Sequence, residues 1–202
     1  EEDQVLTASN TLADADGLGT ISYQWNRDGS VITGASSNSY TLIQDDVGSI
    51  ITVTASHMDG EGTAETATST GTSQVANVND LPTGSVSITG TATEDEVLTA
   101  SSTLADADGL GTISWQWSRA GVAIDGETTS TYTLTQDDVD AVITVTASYT
   151  DAEGTAESVD SSFTAAVANV SHSTTGEVLI TGTPEEDQVL TASNTLADAD
   201  GL

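Results

Sequence analysis

The sequence contains no cysteine and no lysine, and its only fixed positive charges are Arg27 and Arg119. Without thiols there is no disulfide framework, no thiolate zinc site and no cysteine nucleophile. Without lysine there is no Schiff-base chemistry. Against two arginines stand 32 acidic residues, for a formal net charge of −30. Such a chain repels a nucleic-acid backbone and an anionic membrane surface. It attracts cations. No run approaches the ~20 apolar residues of a membrane-spanning helix. Glu1 opens the chain with neither a basic nor an apolar segment behind it, so no signal-peptide pattern is visible. Aromatic residues are only 4% of the chain, which leaves little material for a stacking platform.

What the sequence does have is an internal repeat. Val5-Leu6-Thr7-Ala8-Ser9 recurs as Val97-Leu98-Thr99-Ala100-Ser101 and as Val189-Leu190-Thr191-Ala192-Ser193. Trp25 maps to Trp117, Tyr40 to Tyr132, and Asp16 to Asp108 and Asp200, always at an offset of 92. Residues 185–202 repeat residues 1–18 without a change. A fixed period of this size means an array of units, each large enough for its own core. The expected organisation is a first repeat over 1–82 lacking its first strand, a complete second repeat over 83–174, and the beginning of a third over 175–202.

Within a repeat the apolar period is two. Ile113, Trp115 and Trp117 alternate with Ser114, Gln116 and Ser118; Ile143, Val145, Ala147 and Tyr149 alternate with Thr144, Thr146 and Ser148. Alternation means strands with one face on a core and one in water. In the second repeat the strands fall at 84–90 (A), 96–104 (B), 112–118 (C), near 121–125 (C′), 130–135 (E), 141–149 (F) and 156–168 (G). Strand G is expected to carry Val159, Phe163, Ala165 and Val167 inward. Asp108-Gly109, Asp125-Gly126 and Glu153-Gly154 supply turns. Six or seven short strands with turns every 8–12 residues predict a β-sandwich. The fold class is all-β: tandem immunoglobulin-like antiparallel sandwiches in an extended rod, with no helix beyond about one turn.

With Trp117 in place of the buried strand-C tryptophan, and Tyr132-x-Leu134-x-x-Asp137-Asp138-Val139 at the E–F corner, the unit resembles a bacterial immunoglobulin-like domain. Aliphatic residues stand where an antibody domain has its cysteines. Gly-x-Val-x-Ile-x-Gly followed by Val-Leu-Thr-Ala-Ser-x-Thr-Leu-Ala-Asp-Ala-Asp-Gly-Leu-Gly is similar to the tandem extender repeats of giant bacterial adhesins exported by type I secretion, the repeats-in-toxin adhesins. This resemblance implies a calcium-stiffened stalk at an extracellular bacterial surface. The nonapeptide calcium repeat Gly-Gly-x-Gly-x-Asp of those proteins is absent.

Calcium takes 6–8 oxygen ligands. In a sandwich of this topology the A–B loop, the E–F loop and the exit of strand G share one end, and the B–C and F–G loops share the other. Stacking two units would therefore gather Glu2, Asp3, Asp45, Asp46 and the linker residues Asn77, Asn79 and Asp80. Asp106, Asp108, Asp151 and Glu153 of the second repeat would face them. The linker, ending in Pro82, also resembles the calcium-bound connections of cadherins. At the second junction Glu94, Asp95, Asp137, Asp138 and Asn169 would face Asp198 and Asp200. There the linker has lost its Asp, one Asn and the Pro, so a weaker site is expected. Ca2+ at the interdomain junctions is the expected cofactor.

Each acid also has a plainer reading. Asp108-Gly109 can be an ordinary turn, Asp138 can be the reciprocal partner of Thr135 at a one-turn helix start, and Glu153 and Glu157 can solvate an edge. His172 is read as a surface residue, since calcium prefers oxygen. His57, which maps to Tyr149, is read as a packing residue of strand F. Asn169-Val170-Ser171 matches a glycosylation sequon by composition alone.

No Gly-x-Ser-x-Gly elbow occurs and no histidine recurs between repeats, so the chain is expected not to be an enzyme. Carboxylate pairs of the glycosidase type remain open by composition, but the acids fall in turns at repeat edges. The expected function is a non-catalytic stalk segment whose partners are neighbouring repeats of the same polypeptide. The alternative is a carbohydrate- or protein-binding sandwich module, for which a solvent-exposed large aromatic is the discriminating feature. Residues 176–184 are a spare copy of strand A. They suggest head-to-tail docking on residues 1–82 of a neighbouring chain, which an intrachain partner for both Val178 and Ile180 would sink.

Overall fold

The computed structural model describes residues 1–201. The chain divides into two compact units: Glu1–Leu81 with Ala107–Gly109, and Pro82–Asp106 with the chain from Leu110 onward. The tail after residue 174 thus groups with the second unit. Among the described residues all regular structure is β apart from single 3-10 turns at Gln44–Asp46 and Gln136–Asp138.

In the first unit β1 (Val5–Thr7) pairs with β4 (Ser39–Thr41). A second sheet runs β3-β2-β5-β6, from Ser30–Val31, Ser22–Arg27, Ile51–Met58 and Ala64–Thr68. Over Val86–Asp160 the second unit repeats this with one strand more. Its four-stranded sheet is β10-β9-β12-β13, from Val122–Ala123, Ser114–Arg119, Ile143–Thr150 and Ala156–Asp160. Its three-stranded sheet is β11-β8-β7, from Thr131–Thr133, Val97–Ser102 and Val86–Thr89. All named strand pairs are antiparallel. The period of two sets which residues face inward. Along β12, Ile143, Val145 and Ala147 are fully buried and Tyr149 nearly so, while the intervening threonines and serine are half-buried. Val145 lies opposite Trp117 and Ala147 opposite Trp115. Trp117 is wholly enclosed, and its indole N–H donates to Thr129 O at 2.8 Å.

Strand G departs from the expected 156–168. Regular pairing stops at Asp160, and the chain returns only as isolated parallel bridges, Val139 with Val167 and Thr93 with Ala168. The cause lies in two hydroxyls. Ser161 Oγ accepts from Val145 N at 3.0 Å and Thr164 Oγ1 accepts from Ile143 N at 3.0 Å. Side chains thereby replace main-chain carbonyls as acceptors, and the inward–outward alternation is broken. Val167 is buried as expected, but Ala165 is exposed and Phe163 is 67% exposed. Ser69 and Thr72 repeat the device in the first unit.

The Asp-Gly-Leu-Gly block also has a packing reason. Gly109 holds a φ of 96°, in the left-handed region that favours glycine. A side chain at Gly111 would run into the carbonyl oxygen of Thr150, and one at Gly19 into that of Met58.

The tail forms a hairpin of β14 (Val178–Thr181) and β15 (Thr191–Asn194), with Val178 opposite Asn194 and Ile180 opposite Ala192. Both residues thus have an intrachain partner, the outcome that counts against head-to-tail docking of this segment.

Candidate metal centres

The acidic residues sort into groups with different surroundings. In the first unit, one carboxylate oxygen from each of Glu2, Asp80 and Asp108 lies within 4.8 Å of the others. Glu2 and Asp108 are 2% and 3% exposed. Backbone amides aim them: Val78 N donates to Glu2 Oε1 and Asp80 N to Asp108 Oδ2, both at 2.7 Å. The start of the chain is fixed by Glu2 N donating to Ala76 O and Asp3 N to Leu42 O. Asp3 sits at φ 61°, and its side chain is not part of the three-carboxylate group. Asn77 Oδ1 accepts from Gln44 Nε2 beside the group at 3.4 Å.

The chain's two arginines are engaged elsewhere. Arg27 Nε donates to Asp46 Oδ1 at 2.7 Å, while Tyr40 Oη and Ile43 N donate to Asp46 Oδ2. Arg119, Tyr132 and Thr135 N hold Asp138 in the same way at 2.6, 2.7 and 2.8 Å. Both aspartates are fully buried. This corrects the assignment of Asp46 and Asp138 as cation ligands: their oxygens are filled by donors, and they anchor the E–F corner. Burial pushes the Asp138 carboxyl up, but the bonds from Arg119, Thr135 and Tyr132 outweigh it and hold the group below its usual range. Burial, then the Asp138 carboxylate, push the Tyr132 phenol up to about 12. Asp45 is exposed, 3.8 Å from Arg27, and Asp137 is exposed.

Asp151 closes the turn after β12, accepting from Thr155 N at 2.7 Å, and Glu153 is exposed on that turn. Asp106 accepts a short hydrogen bond from the Tyr149 hydroxyl. These three belong to loops of the second unit.

The second unit holds the counterpart of the first group, with His172 at the position of Asp80. Val170 N donates to Glu94 Oε2 at 3.1 Å and His172 N to Asp200 Oδ2 at 2.6 Å, as their equivalents do in the first unit. His172 is far from a bystander. Its Nε2 lies 3.2 Å from Asp95 Oδ2 and its Nδ1 3.3 Å from Asp200 Oδ1 and 3.9 Å from Glu94 Oε1. Its imidazole is held above its usual range first by the bond to Asp200 and then by that to Asp95. Asp200 is held low, mainly by the His172 backbone N–H, with Asn169 contributing a weaker bond. Asp198 accepts from Thr174 Oγ1 at 2.8 Å.

Sequence reasoning missed a third group: Asp14, His57 and Glu65. His57 Nε2 lies 3.9 Å from Asp14 Oδ2 and 3.7 Å from Glu65 Oε2. The Asp14 charge, first among the causes, pushes the Glu65 carboxyl up. The signal available was that His57 aligns with Tyr149, another side chain with a polar tip on an otherwise apolar face.

Chemically, the first group is an all-oxygen set suited to a hard cation, the second carries its own imidazole, and the third is a mixed nitrogen–oxygen set. In comparisons with known proteins, the chain matches no family model and no curated protein. Among the described residues no helix is long and apolar enough to cross a membrane.

Proposed function

We propose that this chain is a segment of a non-catalytic, calcium-stiffened extender of a bacterial cell-surface adhesin, holding ligand-binding domains away from the cell. The observation that carries the reading is the Glu2–Asp80–Asp108 group. Carboxylates from the start of the first repeat, from the linker and from the Asp-Gly turn of the second repeat converge within 4.8 Å. Two of them are buried, and crowded carboxylates repel strongly where water is excluded. A bound calcium ion would supply the balancing charge and draw the linker and the Asp-Gly turn together. The chain's own part is to aim the oxygens, through the N–H groups of Val78 and Asp80. Extracellular calcium modules bind at about 10⁻⁴–10⁻³ M, so such a connection would loosen in a calcium-poor cytosol and stiffen outside the cell.

The test is thermal unfolding and small-angle scattering in EDTA and in millimolar calcium. Calcium should raise the unfolding temperature and lengthen the particle, and Asp80→Ala should abolish the lengthening while both units stay folded. Identical maximum dimension and melting temperature in the two conditions would sink the reading.

A ligand-binding sandwich module has one observation in its favour, the exposed ring of Phe163. Gly71 stands at the equivalent position of the first repeat, so the ring is not a feature of both repeats. Binding of a glycan or peptide that Phe163→Ala abolishes would support this second reading.

A further inference from the structure

We propose that Asp14, His57 and Glu65 form a binding site for a transition-metal dication of the zinc type, separate from the calcium group and independent of the extender reading. The site pins the irregular segment between β1 and β2 to strands β5 and β6.

The first support is the spacing. Ligands at about 2.0–2.2 Å from one tetrahedral ion lie roughly 3.4 Å apart. His57 Nε2 stands 3.7 Å from Glu65 Oε2 and 3.9 Å from Asp14 Oδ2. These separations are too long for hydrogen bonds, and a shift of a few tenths of an ångström would place the atoms around one ion.

The second support is independent of the clustering. The His57 side chain is 6% exposed and that of Asp14 is 10% exposed. His57 makes no hydrogen bond through either ring nitrogen, and its Nδ1 is buried. Asp14 Oδ1 accepts from Asp16 N at 2.8 Å, but Asp14 Oδ2 is buried with no donor. Buried polar groups are nearly always satisfied. Here the unsatisfied Asp14 Oδ2 and the His57 Nε2, which makes no hydrogen bond, face the same space, and a cation between them satisfies the carboxylate oxygen.

The second unit is an internal control. There Tyr149 replaces His57, and its hydroxyl donates directly to Asp106, the counterpart of Asp14. The phenol reaches the carboxylate that the shorter imidazole does not. The pin between this segment and strand F thus exists in both repeats, as a direct hydrogen bond in one and as a metal bridge in the other.

The ligand set points away from calcium, which takes 6–8 oxygens. One imidazole and two carboxylates with an open fourth position suit zinc or cobalt. Glu65 is 52% exposed, so water reaches that fourth position. The Nδ1 lacks the outer acceptor that usually orients a ligating histidine, an omission that lowers affinity by about 10–100-fold.

The experiment is a zinc titration of the full chain in the presence of millimolar calcium, followed by competition with a chromogenic chelator and by the melting temperature of the first unit. Cobalt is the optical probe of tetrahedral geometry. The wild-type chain should bind one zinc ion that His57→Tyr abolishes, that Glu65→Gln weakens by tenfold or more, and that His172→Ser leaves in place. His57→Tyr should also make the melting of the first unit insensitive to zinc. This variant copies the residue already accommodated at position 149, so it is expected to fold, and Glu65→Gln on the exposed rim provides a second check. Zinc binding unchanged in both variants, lost only in His172→Ser, or undetectable at ~100 μM would overturn the proposal.

Discussion

Leu6, Leu98 and Leu190 hold the same place in three copies of one segment, yet Leu98 is fully buried, Leu6 half-buried and Leu190 51% exposed. Their outward neighbours, Val5, Val97 and Val189, are 60%, 48% and 81% exposed. The local sequence therefore sets which side chains face a core, while strands far along the chain decide whether there is a core to face. β8 has β11 on one side and β7 on the other, and β7 also packs on β12. β1 has β4 alone, and β15 has β14 alone. The consequence spreads across each unit. Val145 is fully buried where its counterpart Val53 is half-buried, and only Trp25, Leu42, Ile51 and Val75 form the buried cluster of the first unit. One added edge strand turns a half-covered sheet into a closed interior.

The largest effect should come from removing the two tryptophans in turn. Trp117→Ala empties a site with no solvent access and should cost about 3–5 kcal/mol in the second unit. Trp25→Ala should cost less, because the sparser surroundings of Trp25 can relax into the space. Denaturant unfolding followed by hydrogen exchange of the amides of the substituted unit itself separates the two. Equal losses would mean that the difference in burial carries no energetic weight.

Next in size is the E–F anchor. Asp138→Asn removes the charge that Arg119 meets at 2.6 Å and should cost about 2 kcal/mol, the range of a hydrogen bond to a charged group. Because the folded state holds the Asp138 carboxyl low, its stabilisation is present above the unfolded-state pKa. It is lost as pH falls through the folded-state value. Acid unfolding of the second unit should therefore lose part of its pH dependence in Asp138→Asn, and an unchanged profile would show that the anchor is not the acid-sensitive element. A smaller difference separates the two copies. Thr135 Oγ1 adds a bond to Asp138 at 3.0 Å that Ile43 cannot make, while the backbone bond from residue 43 survives. Thr135→Val should cost about 1 kcal/mol in the second unit, and Ile43→Thr should stabilise the first by a comparable amount. Opposite signs in thermal unfolding are the check.

The period of two made the strands and their inward faces legible, because a strand has only two faces and threonine on one of them marks the wet side. The end of strand G was not legible. Ser161 and Thr164 read as ordinary wet-face residues, and only their position beside β12 makes them acceptors for its N–H groups. The candidate sites divide in the same way. Glu2, Asp80 and Asp108 could be grouped because topology places loops at known ends of a sandwich. Asp46 and Asp138 sit in those same loops and yet turn inward to the arginines, which no spacing of acids reveals. The histidines were missed because each stands alone in the sequence. Their chemistry comes from Asp14 and Glu65 in one case and from Asp95 and Asp200 in the other, residues brought near by pairing of strands and by the backbone contacts of the linker.

The smallest expected effect, and the sharpest on the comparison of the two acidic groups, lies at His172. It occupies the place of Asp80, so three carboxylates in one unit become two carboxylates and an imidazole in the other. Glu94, Asp95 and Asp200 face the ring, and Gln136 completes the surroundings with its amide beside Glu94 and Asp200. Protonated, the ring supplies the positive charge for which the first group is proposed to need a metal. Its pKa is raised in the folded state, chiefly by Asp200 and then by Asp95. Its contribution is thus complete below the unfolded value of about 6.5 and is lost as pH rises through the folded value. Raising pH from 6 to 9 in EDTA should loosen the Val170–His172 segment, read as faster amide exchange after correction for intrinsic rates. The corresponding segment at Val78–Asp80 should show no such loosening. His172→Asp should remove this pH dependence and add one calcium ion to the stoichiometry, making the second group a copy of the first. An unchanged calcium count in His172→Asp would show that position 172 does not decide between an internal and an external cation.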